Sequence, residues 1–262
     1  MAKRICGVSF SLVLNADLQF WGGRLGIKFA EAERVYCITE WLLHDCKNKF
    51  ASLPDSRFRL CRIGVDVAHW PSRHESSDHL EQLHRVITVG RLNAAKRIDL
   101  VIRAIAALRD RGVDAELRIA GDGPERERLE SLIAELGLQA RVVLLGSVSE
   151  SQVKQELLGG SVFVLPSRSE PLGVVYMEAM ATGAAVIGTR AGGVGEIIDD
   201  GIDGLLVDPH SFEDLVDAVE RCLVNSDLRR QLGRAGRRKI EERFDSSIAA
   251  KVLLEDWGVM GR

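Results

Sequence analysis

Residues 85–121 read RVITVGRLNAAKRIDLVIRAIAALRDRGVDAELRIAG: two short apolar runs with a long amphipathic one between them. RVITVG (85–90) is rich in β-branched residues and reads as a strand. KRIDLVIRAIAALRDRG (96–112) carries apolar residues at 98, 101, 102, 105 and 108, the spacing of one helical face. AELRIAG (115–121) is the next strand, and together the three segments make a βαβ unit.

The same alternation continues downstream. PERERLESLIAELG (124–137) is expected to be a helix, opened by a proline suited to a first helical turn. VVLLG (142–146), VFVLP (162–166) and AAVIGT (184–189) continue the strands, with helices expected near 149–158 and 173–182. From Ser211 to about Arg243 the pattern is helical throughout. The expectation is α/β: one complete Rossmann-like, doubly wound domain over 85–245, whose ligand binds at the C-terminal ends of parallel strands.

The upstream pieces differ in kind. They are an apolar run at 8–14, a helix from about Gly26 to Arg34, a strand-like VYCIT (35–39), a helix near 40–50 and RLCRIGVD (59–66). These are too few to enclose a two-faced sheet, so residues 1–70 are read as the remnant of an incomplete N-terminal α/β lobe. SRHESSDHLEQLHR (72–85) is polar, and 71–84 reads as a linker. Residues 246–262 are expected to form a C-terminal helix packing back on the first lobe.

Composition removes several classes of function. With 46% hydrophobic, 28% charged and 5% aromatic residues among 262, the chain is of ordinary globular type. A net charge of -3 and few aromatic side chains argue against nucleic-acid binding. Cys6, Cys37, Cys46, Cys61 and Cys222 form no C-x-x-C pair, and His44, His69, His74, His79, His84 and His210 show no ligand spacing; neither a disulfide framework nor a metal is expected. The start lacks a clean signal-peptide pattern, and no segment approaches the roughly 20 apolar residues needed to cross a bilayer. A cytoplasmic protein is expected, at most resting against a membrane surface. SDLRRQLGRAGRRKIEER (226–243) carries seven Arg/Lys against three Asp/Glu; it reads as a solvated helix face, with anionic lipid headgroups as the alternative partner.

The chemistry is concentrated in SEPLGVVYMEAM (169–180). Glu170 lies in the loop after a strand, Pro171-Leu172-Gly173 turn the chain, and the following helix carries Glu178 in its second turn. A helix start offers unpaired N–H groups and the positive end of a dipole, which suits a diphosphate. Gly173 lets the backbone approach that anion closely. The two carboxylates would flank it and accept hydrogen bonds from sugar and ribose hydroxyls. Spacing alone also admits a loop charge and a helix-start charge without chemical consequence. Upstream, Arg91 and Lys96 occupy the loop after strand 85–90, where two cations would neutralise a departing diphosphate. Taken singly, each also fits a solvated surface charge. AGGVGEII (191–198) is a glycine-rich turn before a short helix; it reads as shaping the rim of the site, with Glu196 behind it.

VGRLNAAKRID, IAGDGP, LLGSVSESQV, LPSRSEPLGVVYMEAMATGAAVIGT and AGGVGEIIDDGIDGLLVDP, in this order and spacing, closely resemble the C-terminal domain of family 4 of the retaining glycosyltransferases, a GT-B fold. The resemblance covers about residues 83–245. It implies that Glu170 contacts donor-sugar hydroxyls, the backbone of Leu172-Gly173-Val174 the diphosphate, and Glu178 the ribose. It makes Arg91 and Lys96 the diphosphate-binding pair with Gly90 the turn before them, and places the base near Ser147 and Val148, close to Gly121-Asp122-Gly123. RIGVD (62–66) and AEAERVYCITEWLLHDC (30–46) resemble the end of the family's acceptor lobe. SLVLNADLQF falls where relatives carry T-x-H-A-x-D, with Asn15 in place of the histidine and Leu18 in place of the aspartate. Asn15 can still hydrogen-bond a donor sugar, but it carries no proton near neutral pH.

The function this implies is transfer of a sugar from a nucleotide diphosphate sugar to a saccharide or lipid-linked acceptor with retention, in polysaccharide or glycolipid biosynthesis and without a metal. Two rivals remain open. One is a truncated, non-catalytic nucleotide-sugar-binding module, or a subunit paired with a separate chain that supplies the acceptor lobe. The other is a nucleotide-sugar epimerase.

Overall fold

A computed structural model describes residues 10–15, 18, 24–73 and 84–258. Cys6, His74, His79, the first residues of the 8–14 run, linker residues 74–83 and the final residues 259–262 lie outside the described residues.

The first lobe is a three-stranded parallel sheet, β1 (Ser11–Leu14), β2 (Arg34–Cys37) and β3 (Phe58–Leu60), in the order β1-β2-β3. Helices α1 (Leu25–Glu31) and α2 (Glu40–Lys49) connect them. The helix expected to reach Arg34 stops earlier, because Arg34 already begins β2 and pairs with Ser11. The strand expected to run to Thr39 ends at Cys37, since Thr39 caps α2 by accepting from the Leu42 amide at 3.1 Å. Phe29 fills the centre of this lobe, edge-on to Phe50 and Phe58.

The second lobe has six parallel strands, β4 (Arg85–Val89), β5 (Glu116–Ala120), β6 (Val142–Gly146), β7 (Val162–Leu165), β8 (Ala185–Thr189) and β9 (Leu205–Val207), ordered β6-β5-β4-β7-β8-β9. The chain builds outward from β4 in one direction, then returns to β7 and builds in the other. With right-handed crossovers this puts α3 (Ile98–Asp110) and α4 (Arg126–Glu135) on one face. It puts α5 (Glu150–Gly159), α6 (Val174–Ala181) and α7 (Val194–Ile197) on the opposite one. β7 and β8 are buried at every residue, as strands covered on both faces must be.

The stretch expected to be helical from Ser211 to Arg243 is instead two helices, α8 (Phe212–Val224) and α9 (Ser226–Arg243). Asn225 divides them: its backbone is extended (φ -114°, ψ 93°) and its side chain accepts from the Leu228 amide at 2.9 Å, capping α9. The break lets α8 pack beside α3 while α9 crosses to α6 and β8.

After α9 the chain rejoins the first lobe. Val65 pairs with Asp245, Gly64 lies so close that a Cβ would sit 1.9 Å from the Phe244 carbonyl, and α10 (Ser246–Asp256) follows. At its far end Asp256 accepts from the Tyr36 hydroxyl at 2.5 Å, and burial together with this carboxylate pushes the tyrosine pKa up to about 12.

The basic helix α9 keeps the solvated face read from its sequence at Arg230, Arg234, Arg238 and Arg243, which are exposed, and departs from it at its three other cations. Arg229 turns inward to the Cys222 and Leu223 carbonyls, Arg237 reaches the Trp70 and Ala181 carbonyls, and Lys239, 7% exposed, sits 2.9 Å from both Asp199 and Asp203. These three cations tie loops together rather than facing solvent or lipid. Among the described residues no helix is long and apolar enough to cross a membrane.

Candidate functional site

In the order β6-β5-β4-β7-β8-β9 the winding direction reverses between β4 and β7, which opens a crevice beyond their C-terminal ends. Thr88 on β4 donates to the Val164 carbonyl of β7 at 2.8 Å, holding the two strands in register below it. The loops that leave these strands carry the residues singled out from sequence.

The β4 loop begins at Gly90, whose amide donates to the Ala120 carbonyl at 3.0 Å. Gly121 presses against it; a Cβ there would meet the Gly90 carbonyl oxygen at 1.9 Å. Arg91 is exposed, and no hydrogen bond or ion pair engages its guanidinium among the described residues. Ala94–Lys96 then form a 3₁₀ turn capped by Asn93, which accepts from the Lys96 amide at 3.2 Å. Arg97 follows in the left-handed region at φ 51°, the one non-glycine described residue with positive φ, and its guanidinium reaches the Pro209 carbonyl at 2.5 Å.

The β7 loop is joined to this turn by its backbone and by a side-chain pair. The Arg168 amide donates to the Ala95 carbonyl at 2.8 Å, and the Lys96 ammonium pairs with the Glu170 carboxylate. Glu170 is 8% exposed and Lys96 22%, so the pair is shielded from solvent on the acid's side and open on the base's. The Ser167 hydroxyl supports the same carboxylate at 3.2 Å, and Thr189 at the end of β8 donates to the Ser167 carbonyl at 2.5 Å. Ser167 and Thr189 were not legible as site residues. A small hydroxyl at a strand end has no pattern that separates it from any other.

Past Glu170 the turn is held by close backbone approaches. Gly173 has φ 86°, and a Cβ there would lie 2.5 Å from the Tyr176 ring. Tyr176 is fully buried, stacks edge-on to Phe163 and donates its hydroxyl to the Leu165 carbonyl, anchoring α6 to the end of β7. Leu172 is buried and Val174 is exposed at the start of α6, where no side chain caps the helix. The amides at this end are therefore available to an anion.

Glu178 sits half-buried on the second turn of α6. Burial pushes its carboxyl pKa up, the charge of Glu150 adds to the rise, and Lys154 opposes it. Among the described residues its carboxylate makes no hydrogen bond or ion pair. Glu150 is itself held by Lys154 at 2.8 Å and by His69 at 2.6 Å. Val148, half-buried, lies in the loop after β6 just before Ser149, whose side chain forms a capping box with Gln152 at the start of α5.

The structure therefore brings Lys96 and Glu170 into contact, and sets Gly90, Arg91, Val148, Leu172, Gly173, Val174 and Glu178 on the loops and helix start at the same strand ends. Asn15 is exposed at the end of β1, with no hydrogen bond among the described residues. Among those residues no three His, Cys, Asp or Glu side chains are grouped to hold a metal ion.

A family model described as "Glycosyl transferases group 1" matches residues 72–239. The chain belongs to that family. An uncharacterized glycosyltransferase of Methanocaldococcus jannaschii is 35% identical over 231 residues, covering 87% of this chain and 60% of its own length. Alpha-D-kanosaminyltransferase of Streptomyces kanamyceticus is 40% identical over 147 residues, covering 56% and 38%. The chain thus spans 38% to 60% of the length of these two family members. Among solved structures, Anabaena HepE in complex with UDP superposes with a TM-score of 0.85 at 20% identity, over 99% of this chain and 74% of that one. HepE also has structures in complex with UDP and glucose and with UDP-glucose. At that identity the likeness speaks for the fold, which is the GT-B type.

Proposed function

We propose that the chain binds a nucleotide diphosphate sugar in the crevice between the β4 and β7 loops and belongs to a family 4 enzyme that transfers the sugar with retention to a saccharide or lipid-linked hydroxyl. The observation that carries this reading is the Lys96–Glu170 pair spanning the winding reversal, with the uncapped start of α6 beside it. The diphosphate would lie on the backbone of Leu172-Gly173-Val174 and against Lys96 and Arg91. Glu170 would hold sugar hydroxyls, Glu178 the ribose, and the Val148 loop the base.

In the transfer step the bond between the anomeric carbon and the diphosphate oxygen breaks, and the acceptor oxygen bonds to that carbon from the same face. The acceptor's proton goes to the departing phosphate oxygen. Arg91, Lys96 and the α6 amides stabilise the charge that develops there, a role a metal ion would otherwise fill. Asn15 would hydrogen-bond the sugar but has no proton to exchange near neutral pH. The second reading, a chain that binds donor without transferring it, is favoured by asparagine at position 15, where the family carries a histidine.

A panel of UDP-, GDP- and ADP-sugars scored by thermal shift tests the proposal. A ligand at 100 times its Kd stabilises by about 2.7 kcal/mol. At this chain size that corresponds to a rise of roughly 5–10 °C. No shift with any sugar nucleotide would overturn it. Binding without transfer to any acceptor would select the second reading, and free epimerised sugar without acceptor would assign an epimerase.

A further inference from the structure

The segment Ala191–Glu196 makes two sets of contacts at once, one to the candidate site and one to the first lobe. On the site side, the Gly193 amide donates to the Glu170 carbonyl at 2.8 Å. Gly192, at φ 59°, passes so close that a Cβ would stand 2.2 Å from the same carbonyl oxygen. On the other side, a Cβ on Gly193 would lie 2.7 Å from the Thr39 methyl, and the Glu196 carboxylate reaches into the first lobe. Its two oxygens accept from the amides of Glu40 and Trp41 at 2.9 Å each, at the N-terminus of α2. Arg62 stands 3.6 Å from one of those oxygens and pairs with Glu40 at 2.5 Å.

These bonds complete a helix end that the first lobe leaves half satisfied on its own. Thr39 takes the Leu42 amide with its hydroxyl and the Leu43 amide with its carbonyl, so Glu40 and Trp41 are the orphans of the first turn. A carboxylate at a helix N-terminus gains from both the ionised acceptor and the dipole. Glu196 is only 20% exposed, which raises the cost of leaving it unpaired.

We infer that Glu196 is a positioning residue: it ties the first lobe to the 191–196 turn, and through Gly192 and Gly193 that tie fixes the Glu170 backbone and the direction of its carboxylate. The inference rests on the donor reading given above for Glu170. Closure of the two lobes and assembly of the sugar-contacting half of the site are then one event. The diphosphate half, built on Lys96, Arg91 and the start of α6, receives no bond from Glu196 itself and meets the 191–196 turn through the Lys96–Glu170 pair and the Pro171 carbonyl, which a Cβ on Gly193 would meet at 2.3 Å; it should be disturbed less.

The test uses Glu196→Ala and Glu196→Gln in the whole chain, with two measurements. Hydrogen exchange at the Glu40 and Trp41 amides should quicken in Glu196→Ala; Glu196→Gln, which keeps one acceptor oxygen, should release one amide more than the other. Calorimetry with the sugar nucleotide chosen by the panel, and with its nucleoside diphosphate, should show the sugar nucleotide weakened about tenfold or more in Glu196→Ala and the diphosphate changed by less than about threefold. Faster exchange with both ligands weakened equally, or neither, would reduce Glu196 to a structural cap and overturn the inference. Unchanged exchange would remove the tie itself. Wild-type chain that binds no sugar nucleotide would instead overturn the donor reading and the positioning role with it, while the exchange result still decides whether the tie exists.

Discussion

Glu178→Gln keeps the shape of the side chain on the second turn of α6 and removes its charge, so stability and affinity should move in opposite directions. Burial, then the neighbouring Glu150 charge, hold the Glu178 carboxyl above the ordinary glutamate pKa, and no donor within the described residues compensates it. A carboxyl whose folded pKa is raised contributes full stability below its unfolded pKa of about 4.3 and loses that contribution as pH rises through the folded value. At neutral pH the wild-type charge is therefore a cost to the fold, about 1.4 kcal/mol for each pH unit of the rise. The amide avoids that cost, and every ~1 kcal/mol recovered is worth about 2–4 °C in Tm at this size. The variant should melt above wild type at pH 7.5 and lose the advantage near pH 4. If Glu178 accepts from ribose hydroxyls as proposed, removing its charge should cost roughly 1.5–3 kcal/mol, about ten- to hundredfold in Kd for the nucleoside diphosphate. Differential scanning calorimetry across pH and titration calorimetry at pH 7.5 read the two effects. A variant that melts lower at neutral pH would refute the burial argument, and one that binds the nucleotide as wild type does would refute the ribose contact.

Lys96→Ala leaves Glu170, 8% exposed, with the Ser167 hydroxyl as its remaining side-chain partner, and should cost roughly 1–3 kcal/mol of stability. It should also weaken nucleoside diphosphate binding by about tenfold or more; equal affinity by calorimetry would move the diphosphate elsewhere. Gly192→Ala must place a methyl 2.2 Å from the Glu170 carbonyl oxygen at φ 59°. Chemical denaturation should show a loss of about 1–2 kcal/mol or more, with sugar-nucleotide affinity falling further than nucleoside diphosphate affinity.

The parallel sheet was legible because its signals are local. β4, α3 and β5 each declare themselves by periodicity within a dozen residues. The strand order is not written in such local signals: right-handed crossovers decide only which face each helix covers once the order β6-β5-β4-β7-β8-β9 is known. β9 was missed because three residues, Leu205–Val207, are too few to show a period, and only their pairing with Ile187–Thr189 makes them a strand. The join at Asn225 was missed for the opposite reason. Both flanking segments are strongly helical, and the residue between them signals a cap only if a break is already suspected.

The charged residues mark where such reading stops. Lys96 and Lys239 are both lysines on the surface side of a sequence pattern, and each ends beside carboxylates supplied by distant segments. Position separates them: Lys96 follows the strand at the winding reversal, where the fold leaves a crevice, whereas Lys239 closes a loop against the body of α9. That distinction is available once strand order is known. The role of Glu196 is not, because its partners, the amides of Glu40 and Trp41, are 156 and 155 residues away and are backbone groups that every residue carries. No residue type announces an orphaned amide. A carboxylate recruited to one becomes visible only when the two lobes are seen together, so contacts that couple lobes are the part of a two-lobed site that sequence patterns record least.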